Sequence, residues 1–581
     1  MENRRSATIL GIIPQYPEHS KYNIYGKIRM PPVGIISVLS QVQHDQNLEV
    51  YAIDENNYVG PKDFMGMPDH GFLQERKQAD MVLLYGGMSN SIPRMFSVAK
   101  QYKRFGAITI AGGSHVDALP EEALRSGIDI VVHGEGELIF KKILRAWKQE
   151  KGLDRNILNK IRGISFLDEH GRHIFTGKGS PITDLDKLEQ ADLTLIKHLR
   201  ERWSAIPINR GRGCNFNCEF CVVNRQYGRY KAASVERAFQ QVVKYSDLGY
   251  RRFFFTDDNF AQDPDTATEL CKMIGDYKRR FRKKIRMIVQ VRSEVAEDEK
   301  LIEAMRYAGV DMLAIGYESP VDEELKAMKK GVTVEKLTER SRKLSKHFYL
   351  HGMFIFGYPV STDSEQKTRL TLKQRAKAHA RFYKKAKIDT LQVLNAVPLP
   401  GSELRARLEK EGRLLPLETV GWDKYDGLFL CYVPEEGASA YELQNLPRLL
   451  MKKKYLGNSV ISKINYSNWM DWAFNATVGF PVLFAVFYTK RFMINILEEK
   501  GKKRMEQDKG TDRPRLIPKR NIFHESMVMA WKDIRRIWRN LAIMTYGGRI
   551  VKRWFKTYRS SDYSKKIRKG FAEKDTVAAR S

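Results

Sequence analysis

Between Ala7 and about Trp147, short apolar runs alternate with longer stretches of helical length, and this alternation limits the possible folds more than any other feature. The strand-length runs cover residues 8–13, 49–53, 81–85, 108–111 and 128–132, and the helix-length stretches include 33–42, 92–105 and 137–148. Repeated strand–helix units predict an α/β fold with a doubly wound parallel sheet, which binds ligands at the carboxyl ends of its strands. The loops predicted there are Gly86-Gly87-Met88-Ser89-Asn90-Ser91, Gly112-Gly113-Ser114-His115 and His133-Gly134-Glu135-Gly136-Glu137. Glycine lets a backbone approach a ligand closely and take positive φ. Each loop alone reads equally well as a tight turn. Three in register make Gly112, Gly113, Gly134, Glu135 and Gly136 candidate ligand-binding residues.

Residues 1–150 form this first domain in the sequence reading, and 151–205 read as a connector holding a hairpin across Asp168-Glu169-His170-Gly171. The alternation then resumes over residues 206–405, with strand-length runs at 206–209, 253–256, 288–291, 312–315, 354–356 and 390–394. Six such units predict an open βα barrel with its chemistry at the strand C-termini. Residues 406–460 read as an extension capping that barrel, and 461–581 as a basic, mostly helical region.

The charge is unevenly spread. Lys and Arg number 100 against 69 Asp and Glu, a formal +31, and the stretch 441–581 carries about +19 of it. Such an excess points to a polyanionic partner, either nucleic acid or an anionic membrane surface. Residues 472–489 are uncharged for about eighteen positions, the lower limit for a membrane span, but Asn475, Gly479 and Pro481 interrupt them. Met527, Trp531, Ile534, Ile537, Trp538 and Leu541 recur at helical spacing among arginines and lysines. That pattern suits either a core-packing helix with a solvated basic face or a helix lying on anionic lipid. The amino terminus reads as a first buried strand rather than a signal peptide. Five cysteines, three of them within eight residues, fit a reducing compartment, so the expected location is the cytoplasm, with membrane association as a further expectation.

Those three carry the chemistry. Cys214-Asn215-Phe216-Asn217-Cys218-Glu219-Phe220-Cys221 follows Arg210-Gly211-Arg212-Gly213. Three thiolates on one short loop can each take a different iron of a single 4Fe–4S cluster. No fourth cysteine lies nearby, since Cys271 falls in a predicted helix and Cys431 is distant. One iron is therefore left open, as substrate binding requires. Zinc is the main alternative, although structural zinc prefers four ligands in paired knuckles.

The run from Arg212 to Cys221 resembles the signature of the radical S-adenosylmethionine superfamily. In that family the open iron chelates S-adenosylmethionine, and one electron splits it into methionine and a hydrogen-abstracting 5′-deoxyadenosyl radical. Further positions match in order: Thr256-Asp257-Asp258-Asn259, Arg292, Ile315-Gly316-Tyr317-Glu318-Ser319 followed by Met328-Lys329-Lys330-Gly331, Phe356-Gly357-Tyr358-Pro359, and Pro398-Leu399-Pro400-Gly401-Ser402. The resemblance implies that Asp257, Asp258, Arg292, Gly316 and Glu318 bind the cofactor. A carboxylate can hold an amine or ribose, and arginine can clamp a carboxylate. Pro31-Pro32-Val33-Gly34, Val50-Tyr51-Ala52-Ile53-Asp54 and the two later glycine loops are similar to the cobalamin-binding class of that superfamily, over roughly residues 7–460. One departure stands out: the DxHxxG sequence, whose histidine replaces cobalamin's lower ligand, is absent.

The resemblance implies methylation of an unactivated carbon in a small molecule, using cobalamin, S-adenosylmethionine and an electron donor such as flavodoxin or ferredoxin. The alternative within the same architecture is a non-methylating cyclisation, oxidation or carbon–carbon coupling. RNA modification suits the charge, but the RNA methylthiotransferases carry a second cluster on N-terminal cysteines, and no cysteine precedes Cys214. The apolar run and basic helix point to a hydrophobic substrate, lipid or isoprenoid, met at a membrane surface.

Overall fold

The computed structural model describes residues 6–17, 30–64, 66–150, 152–360, 370–435, 437–455 and Tyr563. The apolar run 472–489 and the basic helical pattern 527–541 lie outside the described residues. Among the described residues no helix is long and apolar enough to cross a membrane.

The first sheet has eight strands: β1 (Ala7–Ile13), β2 (Leu48–Asp54), β3 (Met81–Tyr85), β4 (Ile108–Gly112), β5 (Ile130–Val132), β6 (Ile164–Leu167), β7 (His173–Phe175) and β8 (Ile196–Lys197). Their order is β7-β6-β5-β4-β3-β1-β2-β8. Strands β5, β4, β3, β1 and β2 are mutually parallel, as the sequence alternation predicts. Helices on both faces explain why β1 and β3 read as continuous apolar runs rather than alternating ones. The order reverses between β3 and β1, and such a switch point opens a crevice beyond the strand ends.

Residues 151–205 do more than connect. Their hairpin, β6 and β7, pairs antiparallel onto β5, and β8 pairs with β2, so the segment completes both edges of the first sheet. Covering an exposed edge removes a row of unpaired backbone groups. The first sheet thus extends past the sequence boundary at residue 150.

After β9 (Ile206–Ile208), a two-residue ribbon of β10 (Gly211–Arg212) and β11 (Lys231–Ala232) brackets the cysteine loop. The barrel continues with β12 (Arg252–Phe255), β13 (Arg286–Val291), β14 (Val310–Glu318), β15 (Tyr349–Phe356) and β16 (Thr390–Asn395). The order β16-β15-β14-β13-β12-β9 is wholly parallel, so six βα units form an open barrel. Side-chain caps begin its helices: Ser234 for Val235–Asp247, Asp263 for Pro264–Arg280, and a full capping box at Thr371 and Gln374 for Leu372–Lys385. Beyond β16, the segment around Trp422 crosses to the first sheet. The Trp422 indole N–H donates to Glu122 Oε1 at 2.6 Å, and its ring meets His115 edge-on at 4.5 Å.

Candidate functional site

Both sheets turn their strand ends toward one cavity of about 1120 Å³. Ile13, Asp54, Tyr85, Gly112 and Val132 line it from the ends of β1 to β5, and Asn209, Phe254, Thr256 and Leu394 line it from the barrel. A drug-sized ligand fills roughly 300–1,000 Å³. This chamber therefore has room for a large cofactor.

Glycine loops form part of the wall belonging to the first sheet. Gly113 has φ +126°, and a side chain there would place its Cβ 2.5 Å from the Gly87 nitrogen, so the loops after β3 and β4 can touch only because this residue is glycine. Gly112, Gly113, Gly134, Glu135 and Gly136 all line the cavity. No histidine does so among the described residues. His115 is turned inward, with Nδ1 2.9 Å from Ser89 Oγ. His133 lies between Asp117 Oδ1 at 2.5 Å and Ser165 Oγ at 2.8 Å. A cobalamin in this chamber would receive no histidine from these loops, in keeping with the missing DxHxxG sequence.

Cys214, Cys218 and Cys221 are free, half-buried thiols, whereas Cys271 and Cys431 are wholly buried elsewhere. Burial raises the Cys214 thiol and pushes Cys221 up to about 11. Coordination to iron would be needed to hold them as thiolates. Among the described residues no three His, Cys, Asp or Glu side chains are grouped to hold a single metal ion. The polar surroundings also fit a cluster site. Gln262 Oε1 lies 3.8 Å from Cys214 Sγ, and the Arg292 guanidinium stacks 3.7 Å above the Phe216 ring of the cysteine loop. Arg292 Nε is buried without a hydrogen-bond partner among the described residues.

The other sequence candidates separate into distinct environments. Asp258 opens into the cavity, where burial lifts its carboxyl to about 6, and Oδ2 accepts the Gly213 N–H at 3.1 Å. Asp257 is wholly buried behind the wall, where Oδ1 accepts the Arg210 N–H at 2.8 Å. Glu318 adopts φ +61° at an irregularity between β14 and β15. Its carboxylate folds back over Gly316, where a Cβ would collide with it, and pairs with Lys330 Nζ at 2.9 Å. The Lys330 carbonyl in turn accepts from Arg292 at 2.8 Å, so Glu318, Lys330 and Arg292 form one chain of contacts beside the cysteine loop.

Sequence reasoning missed the contacts that fix this loop. Arg212, two residues before Cys214, donates to Glu135 Oε1 at 2.9 Å and to Glu137 Oε1 at 2.6 Å. Lys231, its ribbon partner, pairs with the second Glu135 oxygen. Burial alone would raise the Glu137 carboxyl, but the Arg212 charge and hydrogen bonds from Arg212 and Ser37 hold it below its ordinary value. On the loop's other flank, Glu219 accepts from Arg407 Nε at 2.7 Å and from the Tyr358 hydroxyl at 2.5 Å. A charged residue between Cys218 and Phe220 was the available signal for this second anchor.

A doubly wound sheet and an open βα barrel, clamped across a chamber beside a three-cysteine loop, define a radical enzyme with a second cofactor domain. Residues 208–372 match the Radical SAM superfamily model and residues 27–144 the B12 binding domain model. The chain thus carries a Radical SAM domain and a B12 binding domain together. It is 28% identical over 407 residues to an uncharacterized methyltransferase of Pyrococcus horikoshii, covering 68% of this chain and 81% of that one. The hopanoid C-2 methylase of Rhodopseudomonas palustris is 25% identical over 423 residues, 71% of each chain. The anaerobic magnesium-protoporphyrin IX monomethyl ester cyclase of Rubrivivax gelatinosus is 25% identical over 287 residues, 46% of this chain and 49% of that one. In fold, the chain resembles the radical S-adenosylmethionine methyltransferase TsrM of Kitasatospora setae, solved with cobalamin and a [4Fe-4S] cluster, with TM-score 0.57 at 15% identity over 77% of this chain and 88% of that one.

Proposed function

We propose that this chain is a cobalamin-dependent radical S-adenosylmethionine C-methyltransferase acting on an unactivated carbon of a hydrophobic small molecule. The observation that carries the reading is the shared cavity, walled on one side by the glycine loops of the B12 binding domain and on the other by barrel strand ends. When bound, the cluster and S-adenosylmethionine would supply a hydrogen-abstracting radical, and cobalamin would supply the methyl group.

The chain's own residues would orient these groups and keep water away. Cys214, Cys218 and Cys221 would hold the cluster. Asp258 and Arg292, an anion and a cation that both act on Cys214, complement the ammonium and carboxylate of the methionyl moiety. Glu318 and Lys330 would brace Arg292 from behind. Gly112, Gly113, Gly134 and Gly136 would admit the corrin face. The Arg212 clamp would fix the separation of the two cofactors, and in radical chemistry small displacements have large rate effects.

The sequence relatives named as methyltransferases support methylation, and the cyclase relative supports ring closure as the second reading. A one-electron donor such as flavodoxin or ferredoxin and contact with an anionic membrane complete the proposal. Anaerobic reconstitution with iron, sulfide and cobalamin, followed by incubation with S-adenosylmethionine, a one-electron reductant and hopanoid or bacteriochlorophyllide extracts, and then mass analysis, tests it. A product heavier by one CH2 supports methyl transfer. A product lighter by two hydrogens would favour the cyclase reading instead.

A further inference from the structure

The barrel wall of the chamber holds an apolar group, Phe254, Leu394, Val397 and Leu399. Its polar side chains are mostly committed to the protein. Asn209 donates to the Gly211 carbonyl at 3.0 Å, Thr256 to the Ile208 carbonyl at 3.2 Å, and Arg212 is held by two carboxylates. Asp258 accepts from Gly213, and Asp426 accepts from the Leu428 N–H at 2.9 Å.

On this wall the Tyr425 hydroxyl and Gln392 Nε2 have no hydrogen-bond partner among the described residues. Gln392 lies on β16, two residues before Leu394 and so on the same face of the strand, and both residues line the chamber. The side chain is 5% exposed, and Nε2 is buried with no hydrogen-bond partner among the described residues. An amide buried in an apolar wall without a partner weakens the free protein, and such groups mark a function or a missing partner. Fully apolar walls are built from Leu, Val or Phe, and a glutamine gains nothing here unless a ligand meets it.

We propose that Gln392 is a specificity-determining residue that donates a hydrogen bond to a single oxygen acceptor on an otherwise apolar substrate. The substrate class is a compact hydrocarbon skeleton bearing a carbonyl or hydroxyl group, seated against Phe254 and Leu394 with its oxygen at Gln392. This rests on the reading of the chamber as the substrate site. The acceptor fixes which face of the skeleton is presented across the chamber, so one amide sets the position of reaction without taking part in it.

Camphor and bornane, which share one bicyclic skeleton and differ by a carbonyl, are suitable probes. Binding is measured by ligand-observed magnetic resonance on the full chain loaded with cluster and cobalamin, for the wild type and for Gln392→Leu. The wild type should bind camphor about tenfold more tightly than bornane, since one hydrogen bond contributes about that factor. Gln392→Leu should lose the preference, retain bornane, and melt no lower than the wild type. Equal binding of the two probes, binding of neither, or a lower melting temperature for the variant would overturn the assignment. Cofactor loading is scored separately: a chain that takes up neither iron nor cobalamin contradicts the underlying methyltransfer reading. A fully loaded chain with no preference for camphor contradicts only the role of Gln392.

Discussion

The two walls of the chamber are built by opposite means. The first sheet presents backbone at its loops, with glycines at 112, 113, 134 and 136, and its histidines are turned away into Ser89, Asp117 and Ser165. The barrel presents side chains, among them Asn209, Thr256 and Asp258, each held by a hydrogen bond to the backbone near the cysteine loop. A backbone wall suits a broad, rigid ligand that needs close approach and shape. A side-chain wall suits small groups that must be oriented atom by atom. The difference teaches that the domains divide cofactor accommodation from chemical positioning, and that something must hold the two in register.

If the barrel side carries the chemistry, the largest effect comes from its thiols. Cys218→Ala should abolish cluster assembly, read as loss of iron and of the cluster's visible absorbance, while cobalamin uptake survives. Loss of both together would break the division between the walls. Next is the clamp. Arg212→Met leaves Glu137 and Glu135 buried without their main counter-charge, and breaking such a pair costs about 3–5 kcal/mol. Denaturant melts should show that loss. Residual folded protein should bind both cofactors yet turn over poorly, because their separation is no longer fixed.

The backbone wall is tested by Gly113→Val. A β-branched residue at φ +126° that also collides with the Gly87 nitrogen should strain the loop by about 1–3 kcal/mol. Cobalamin retention after gel filtration should fall at least fivefold while iron content stays at the wild-type level. Smallest is Trp422→Phe, which keeps the ring against His115 but loses the hydrogen bond to Glu122. A loss of about 1 kcal/mol in thermal stability is expected, with both cofactors retained.

Much of this architecture was legible because it is written locally. Every predicted barrel run overlaps a strand, since strands joined by helices leave short apolar stretches at regular spacing. The hairpin of β6 and β7 was legible from its turn, but β8 was not, because a two-residue strand such as Ile196–Lys197 has no periodicity to read. The cysteine loop and glycine loops announced themselves by spacing and composition. Asp257 and Asp258 could not be told apart, because both follow the end of β12 and only the fold decides which of two neighbours meets the cavity. The Arg212 clamp was invisible for a different reason. Its partners lie 75 and 77 residues away, and a charge in sequence gives no sign of which distant charge it will meet.

The central claim is that a cluster on Cys214, Cys218 and Cys221 and a cobalamin on the glycine loops face one another across one chamber. Electron paramagnetic resonance of the doubly loaded chain, with both the reduced cluster and cob(II)alamin paramagnetic, tests it directly. The account predicts spectra broadened by mutual coupling that sharpen when either cofactor is omitted. Two unperturbed signals, additive from the singly loaded proteins, would contradict it.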